Sequence, residues 1–230
     1  MMDVLTAFID LVFPAKCTFC ESMDDVDNRT NICTKCNKKL PYYREEYRYL
    51  KGGALPGCRG FKKFEKVYCL FEYTGIVKKT FVKYKFRGDV NACKAFAVLM
   101  HGMLEFENAY KDLDFITSVP LSGKKLAQRG FNQSRLLAKR ISKLSNIPYE
   151  EVLARPVQGQ TQSKLTEKER LGMKDRFVVI NEHRVIGKNM LVVDDILTTG
   201  STLDEVSSLL LDKGANKLTA AIFASGRKDL

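Results

Sequence analysis

Two adjacent carboxylates, Asp194 and Asp195, separate an apolar run at residues 190–193 from a stretch of small residues, Thr198, Thr199, Gly200, Ser201 and Thr202. Ionised carboxylates accept hydrogen bonds from neighbouring hydroxyls, such as the two a ribose presents. Threonine and serine hydroxyls, with backbone N–H groups, can wrap a phosphate, and a helix starting there turns its positive end toward the anion. Acids beside an anion cradle therefore suit a sugar that carries both a diol and a phosphate. The plainer alternative is a buried strand, a turn and a capped helix, with both acids solvated. The complete strand–loop–helix order favours the ligand site.

A second constellation lies near the N-terminus. Cys17-Thr-Phe-Cys20 and Cys33-Thr-Lys-Cys36 form two CxxC pairs with twelve residues between them. Each pair places two thiolates on one turn, at a bite that suits tetrahedral Zn2+. Redox-active dithiols are the alternative, and two matched pairs at zinc-ribbon spacing argue against it. Four thiolates leave no open coordination position, so the metal is expected to be structural. Seven cysteines, an odd number, point to metal binding in a reducing compartment rather than to a disulfide framework. Cys58, Cys69 and Cys93 stand apart from the pairs.

The elements that must position these groups follow from periodicity. Residues 67–73, 115–119, 177–180, 189–193 and 217–224 read as strands. Residues 75–86, one long basic stretch at 124–144, and 201–213 read as helices, the last stopped by Gly214. Alternating strands and helices predict an α/β fold with a parallel sheet flanked by helices and ligands at the carboxyl ends of the strands. Three segments result: an amphipathic helix and four-cysteine zinc-ribbon-like knuckle at 1–45, a linker at 46–66, and the α/β domain at 67–230. The polar residues 155–176 read as a lid-like loop that would shut water out of the site.

The chain carries a net charge of +11 with a pI near 9.3, which suits a polyanionic partner or anionic substrates. Lys78, Lys79, Lys83, Lys85 and Arg87 interleave with Phe81, Tyr84 and Phe86. Cations that track phosphates and rings that stack on bases suit single-stranded nucleic acid. The alternative is an amphipathic helix with a solvated lysine face. No apolar run is long enough to span a membrane. The segment at residues 3–13 has two acids and no basic flank, which argues against a signal peptide. His101 and His183 lie outside the motifs, and no general base stands out.

Taken together, the knuckle, Tyr84-Lys-Phe-Arg-Gly-Asp89, Val119-Pro120, Arg129-Gly-Phe-Asn-Gln133, Thr161-Gln162 with Leu165 and Arg170, and the acid-pair loop resemble the ComF family. That family is associated with DNA uptake in competent bacteria. The resemblance implies a type I phosphoribosyltransferase fold that binds phosphoribosyl pyrophosphate (PRPP). Asp194 and Asp195 would hold the ribose hydroxyls and Thr198 to Thr202 the 5′-phosphate. Arg129 is a candidate for the pyrophosphate, which would bring Mg2+ with it. The resemblance also implies a cytoplasmic setting, with incoming single-stranded DNA and a helicase of the same uptake machinery as partners. The alternative function is an active Mg-dependent phosphoribosyltransferase acting on a small acceptor, without direct DNA binding. The chain departs from longer relatives in lacking a further CxxC pair after the knuckle, and it shows no recognisable nucleobase-binding hood.

Overall fold

The computed structural model describes residues 15–43, 63–87, 90–156 and 177–227. The expected amphipathic helix at residues 3–13, most of the linker with Cys58, the side chain of Arg87, and loop residues 157–176 with Thr161, Gln162, Leu165 and Arg170 lie outside the described residues.

A hairpin of β1 (Val26–Asp27) and β2 (Ile32–Cys33) leads into α1 (Thr34–Lys39). The larger unit then runs β3 (Lys66–Glu72), α2 (Gly75–Arg87), α3 (Val90–Phe106), β4 (Phe115–Ser118), α4 (Gly123–Arg129), α5 (Gln133–Ser145), β5 (Leu153–Ala154), β6 (Val178–Val179), β7 (Asn189–Leu197), α6 (Ser201–Asp212) and β8 (Lys217–Ser225). Strands β3, β8, β7 and β4 form, in that order, a parallel sheet.

Both faces of the sheet are covered, which is why its strands read as nearly continuous apolar runs. Leu191 and Val193 of β7 join one apolar cluster, with Phe81 of α2, Phe96 and Met100 of α3 and Leu137 and Ile141 of α5. Met190 and Val192 point the opposite way, as the period of two requires, into a cluster with Leu203, Val206 and Leu210 of α6. Strand β4 stops first. Its last residue, Ser118, partners Val193, so Asp194 emerges one step beyond it at the carboxyl edge, still paired with Ile222 of β8.

Three features differ from the sequence pattern. The expected helix at 124–144 is two helices. Gly130 is the left-handed C-cap of α4 (φ 78°), and Asn132 caps α5 by accepting from the Arg135 N–H. A Cβ at Gly130 would meet nothing within 4 Å, so the backbone angle, not close packing, calls for glycine. Residues 177–180 do not enter the parallel sheet; β6 pairs antiparallel with β5 in a separate ribbon. Finally, α3 has no counterpart among the expected elements. Ala92, Cys93, Ala95, Phe96, Ala97, Met100, Met103 and Leu104 of this helix are all buried. A helix apolar on most sides has little polar face to announce its period.

The knuckle is built into this core. Phe19 packs edge-on to Phe71 of β3 (6.3 Å between centroids) and against Phe96 of α3 (6.1 Å). Just after α1 the chain runs beside β3, with Tyr42 bridging Phe71 and the Glu72 N–H donating to the Pro41 carbonyl (2.8 Å).

Candidate functional site

The four paired cysteines converge. The Sγ atoms of Cys17, Cys20, Cys33 and Cys36 all lie within 4.8 Å of one another. The Cys20 and Cys33 sulfurs are 3.7 Å apart, against about 3.8 Å for two ligands of a regular tetrahedron with ~2.3 Å Zn–S bonds. The Cys33 N–H donates to Cys17 Sγ and the Cys36 N–H to Cys33 Sγ, both at 3.4 Å. Such donors favour thiolate over thiol. Burial pushes the Cys17 thiol up, but the N–H groups of Cys33, Cys20 and Phe19 outweigh it and bring it down to about 7. Burial pushes Cys33 and Cys36 up, each crowded by the other sulfurs. The donor set fits zinc, and the chain carries a structural four-cysteine zinc site.

The second site forms where β7 leaves the sheet. Asp194 is buried, and its Oδ1 accepts from the Ser134 hydroxyl (3.0 Å) and the Asp195 N–H (2.8 Å). Ser134 sits in the first turn of α5, so the break at Gly130 that starts this helix also aims it at the carboxylate. Burial, then the neighbouring Asp195 charge, pushes the Asp194 carboxyl up, to about 7. Asp195 is half-buried. Its Oδ1 accepts from the Ile196 N–H (2.7 Å), and its Oδ2 lies 3.3 Å from the Lys85 ammonium.

Beyond the acids the chain turns through exposed Thr198 and Thr199 to Gly200, whose φ of 90° only glycine adopts without strain. Gly200 opens α6 with no side-chain cap, while the Ser201 N–H reaches Thr199 Oγ1 at 3.4 Å. Ser201 is exposed and Thr202 half-buried, so hydroxyls gather at a helix start suited to an anion. Arg129, at the end of α4, donates from Nη1 to Gln133 Oε1 (3.2 Å) and lies 5.8 Å from the Phe86 ring centroid. Asn132 and Gln133 brace the surroundings, donating to the Val119 and Lys85 carbonyls respectively.

The structure thus brings Asp194, Asp195 and residues 198–202 together at one sheet edge. It divides the basic set on α2. Lys78 and Lys79 are exposed. Lys83 pairs with Glu21 of the knuckle (2.8 Å), and Lys85 turns inward to Asp195. Lys85, a sequence candidate for nucleic-acid contact, is drawn into an ion pair by an inward helix position beside a carboxylate. Ser134 was not among the expected site residues. Its only sequence signal is a small hydroxyl directly after Arg129-Gly-Phe-Asn-Gln133.

Residues 127–230 match the family described as "Phosphoribosyl transferase domain", and residues 8–48 the one described as "Double zinc ribbon domain". Among the described residues there is one four-cysteine cluster. "Competence protein ComFC" of Bacillus subtilis (strain 168) is 34% identical over 146 residues, 63% of this chain and 58% of that one. "Competence protein ComFC" of Streptococcus pneumoniae (strain ATCC BAA-255 / R6) is 35% identical over 146 residues, 64% of this chain and 62% of that one. "DNA utilization protein YhgH" of Escherichia coli O157:H7 is 39% identical over 104 residues, 44% of this chain and 45% of that one. The matches span less than two thirds of each of these relatives' own length. No helix among the described residues is long and apolar enough to cross a membrane.

Proposed function

We infer from homology to the ComFC and YhgH proteins that this chain, a phosphoribosyltransferase-type domain joined to a four-cysteine zinc ribbon, binds PRPP and handles incoming single-stranded DNA in natural competence. The observation that carries the PRPP half is the placement of Asp194 and Asp195 directly before the Gly200-led start of α6. In this reading the carboxylates accept from the ribose diol, the Thr198–Thr202 loop holds the 5′-phosphate, and Arg129 approaches the pyrophosphate. Mg2+, arriving on the pyrophosphate, would neutralise charge on that group. The protein would act in the cytoplasm, beside a helicase of the uptake machinery.

The DNA half rests on the net charge of +11 and the exposed Lys78 and Lys79. We expect single-strand affinity to fall steeply with salt. Lys78→Ala with Lys79→Ala should flatten the log–log salt slope by about 1.4, at ~0.7 per lost phosphate contact. Mg·PRPP affinity should be unchanged. Fluorescence anisotropy with a labelled oligonucleotide across a salt series reads this directly, and salt-independent or absent binding removes the DNA half.

One observation favours the second reading, a transferase acting on a small acceptor without DNA. Two of the five α2 cations, Lys83 and Lys85, are already paired with carboxylates. Pyrophosphate release with a panel of small acceptors, in the absence of DNA, would establish that reading.

A further inference from the structure

Lys85 is a cation on α2 that neither the phosphate cradle nor the exposed basic row accounts for. Its ammonium stands 3.3 Å from Asp195 Oδ2, and both side chains are largely enclosed, at 16% and 17% exposure. The same ammonium lies 4.8 Å from the Phe81 ring centroid. Phe81 is itself fixed, stacked on Phe223 of β8 and Phe96 of α3 at 4.9 and 6.0 Å. The Lys85 carbonyl accepts from fully buried Gln133 (3.5 Å), the residue next to the Ser134 that holds Asp194. Two neighbouring carboxylates are thus gripped from two helices, Asp194 by α5 and Asp195 by α2.

Two adjacent acids at the end of a buried strand repel each other and lose hydration, so they need a countercharge to be held in one geometry. Among the described residues, the other titratable groups that feel Asp195 are Asp194, Tyr73 and Tyr84. The tyrosines carry no positive charge to offer, and the Arg140 charge is registered at Tyr84. Among the described residues, Lys85 is the cation in contact with the pair.

We propose that Lys85 is a positioning residue of the PRPP site, orienting the Asp195 carboxylate toward the ribose diol and supplying the positive charge that lets the two acids stand side by side. The proposal rests on the PRPP reading above. It separates Lys85 from nucleic-acid contact and makes the inward end of α2 a wall of the sugar site. Lys85 also lowers the Asp194 carboxyl through its charge, so its loss should move that group's titration upward.

The test is calorimetric titration of Mg·PRPP, between pH 6 and 9, into wild type, Lys85→Met and Lys85→Arg. Met retains an apolar stem over Phe81, and thermal unfolding checks that each variant is folded. Affinity for the diol should rise with pH as Asp194 ionises. We expect Lys85→Met to weaken binding at pH 7.5 at least about tenfold, ~1.4 kcal/mol, and to shift the pH midpoint of binding upward. Lys85→Arg should recover most of the affinity and the original midpoint. If Lys85→Met binds Mg·PRPP with wild-type affinity and midpoint, the proposal is overturned while the PRPP reading stands. If Lys85→Met fails to fold, Lys85→Arg decides: a wild-type midpoint supports the role and a displaced midpoint with tenfold loss overturns a charge-based one. Loss of single-stranded DNA affinity in Lys85→Met with PRPP binding intact also overturns it. A folded, zinc-loaded wild type that binds no Mg·PRPP overturns the PRPP reading and this proposal together.

Discussion

Removing zinc, by chelation or by Cys33→Ser, should lower the thermal midpoint of the whole chain by about 10 °C or more, in one cooperative transition. An independent bead would melt alone and leave the α/β unit untouched, but this knuckle is no bead. Cys17, Phe19, Ile32, Cys33, Cys36 and Leu40 belong to the same buried cluster as Phe71 of β3, Phe81 of α2 and Phe96 of α3. Without metal the four sulfurs, which lie within 4.8 Å of one another, lose the bonds that tie the two CxxC turns together, and the frame that presses Phe19 on Phe71 and Phe96 is weakened. Structural zinc sites are worth on the order of 10 kcal/mol in small modules. Loss of even ~4 kcal/mol in a chain of this size corresponds to roughly 8–16 °C. Scanning calorimetry with a parallel zinc assay checks this. A separate low-temperature transition that leaves the main midpoint unchanged would show the knuckle to be energetically independent. Because the site's ligands must be thiolates, proton release on zinc uptake is a further expected signature.

Asp194→Asn should make the protein more stable above neutral pH and a poorer PRPP binder. The buried carboxyl is pushed up to about 7, first by burial and then by the Asp195 charge. With the folded-state value raised above the unfolded one, the native state holds the extra proton between about pH 4 and 7. This group's contribution is therefore fully present below about pH 4, declines as pH rises to about 7, and at higher pH is a standing cost of buried charge. Asparagine removes the charge while its Oδ1 can still accept from Ser134 and the Asp195 N–H. A gain of about 1–2 kcal/mol at pH 8, roughly 3–6 °C, is expected. At pH 5 the difference should be smaller than at pH 8. On the proposed PRPP reading the same substitution removes an ionised acceptor for the ribose diol, and Mg·PRPP affinity should fall at least about tenfold, since hydrogen bonds to charged groups contribute ~1.5–3 kcal/mol. Thermal unfolding of both proteins at pH 5 and pH 8 reads the stability arm. An equal difference at both pH values would detach the effect from this carboxyl.

How far the sequence was legible varies with the physical signal each part carries. Strands β3, β4, β7 and β8 announce themselves because both sheet faces are covered and the runs are apolar. The acid pair and the Gly200 turn are legible because their chemistry is local: neighbours in sequence are neighbours in the site. The contacts of Lys85 and Ser134 with the acids were not legible, since they reach them from α2 and α5 at sequence separations no local pattern encodes. Helix α3 is hidden by burial on most sides, and the break at Gly130 is hidden because the residues around it keep helical character while only its φ of 78° ends α4. The cysteine spacing foretold the metal site but not its burial in the common core, which depends on where Phe19 falls against β3 and α3.

The proposed PRPP site lies at the edge of β7. Its most direct test is calorimetric titration of Mg·PRPP into zinc-loaded wild type and into Asp194→Asn with Asp195→Asn, at pH 8. Saturable binding to wild type, reduced about a hundredfold or more in the double variant with the fold intact, is the result expected here. No heat of binding to wild type, or equal affinity in both proteins, would contradict it.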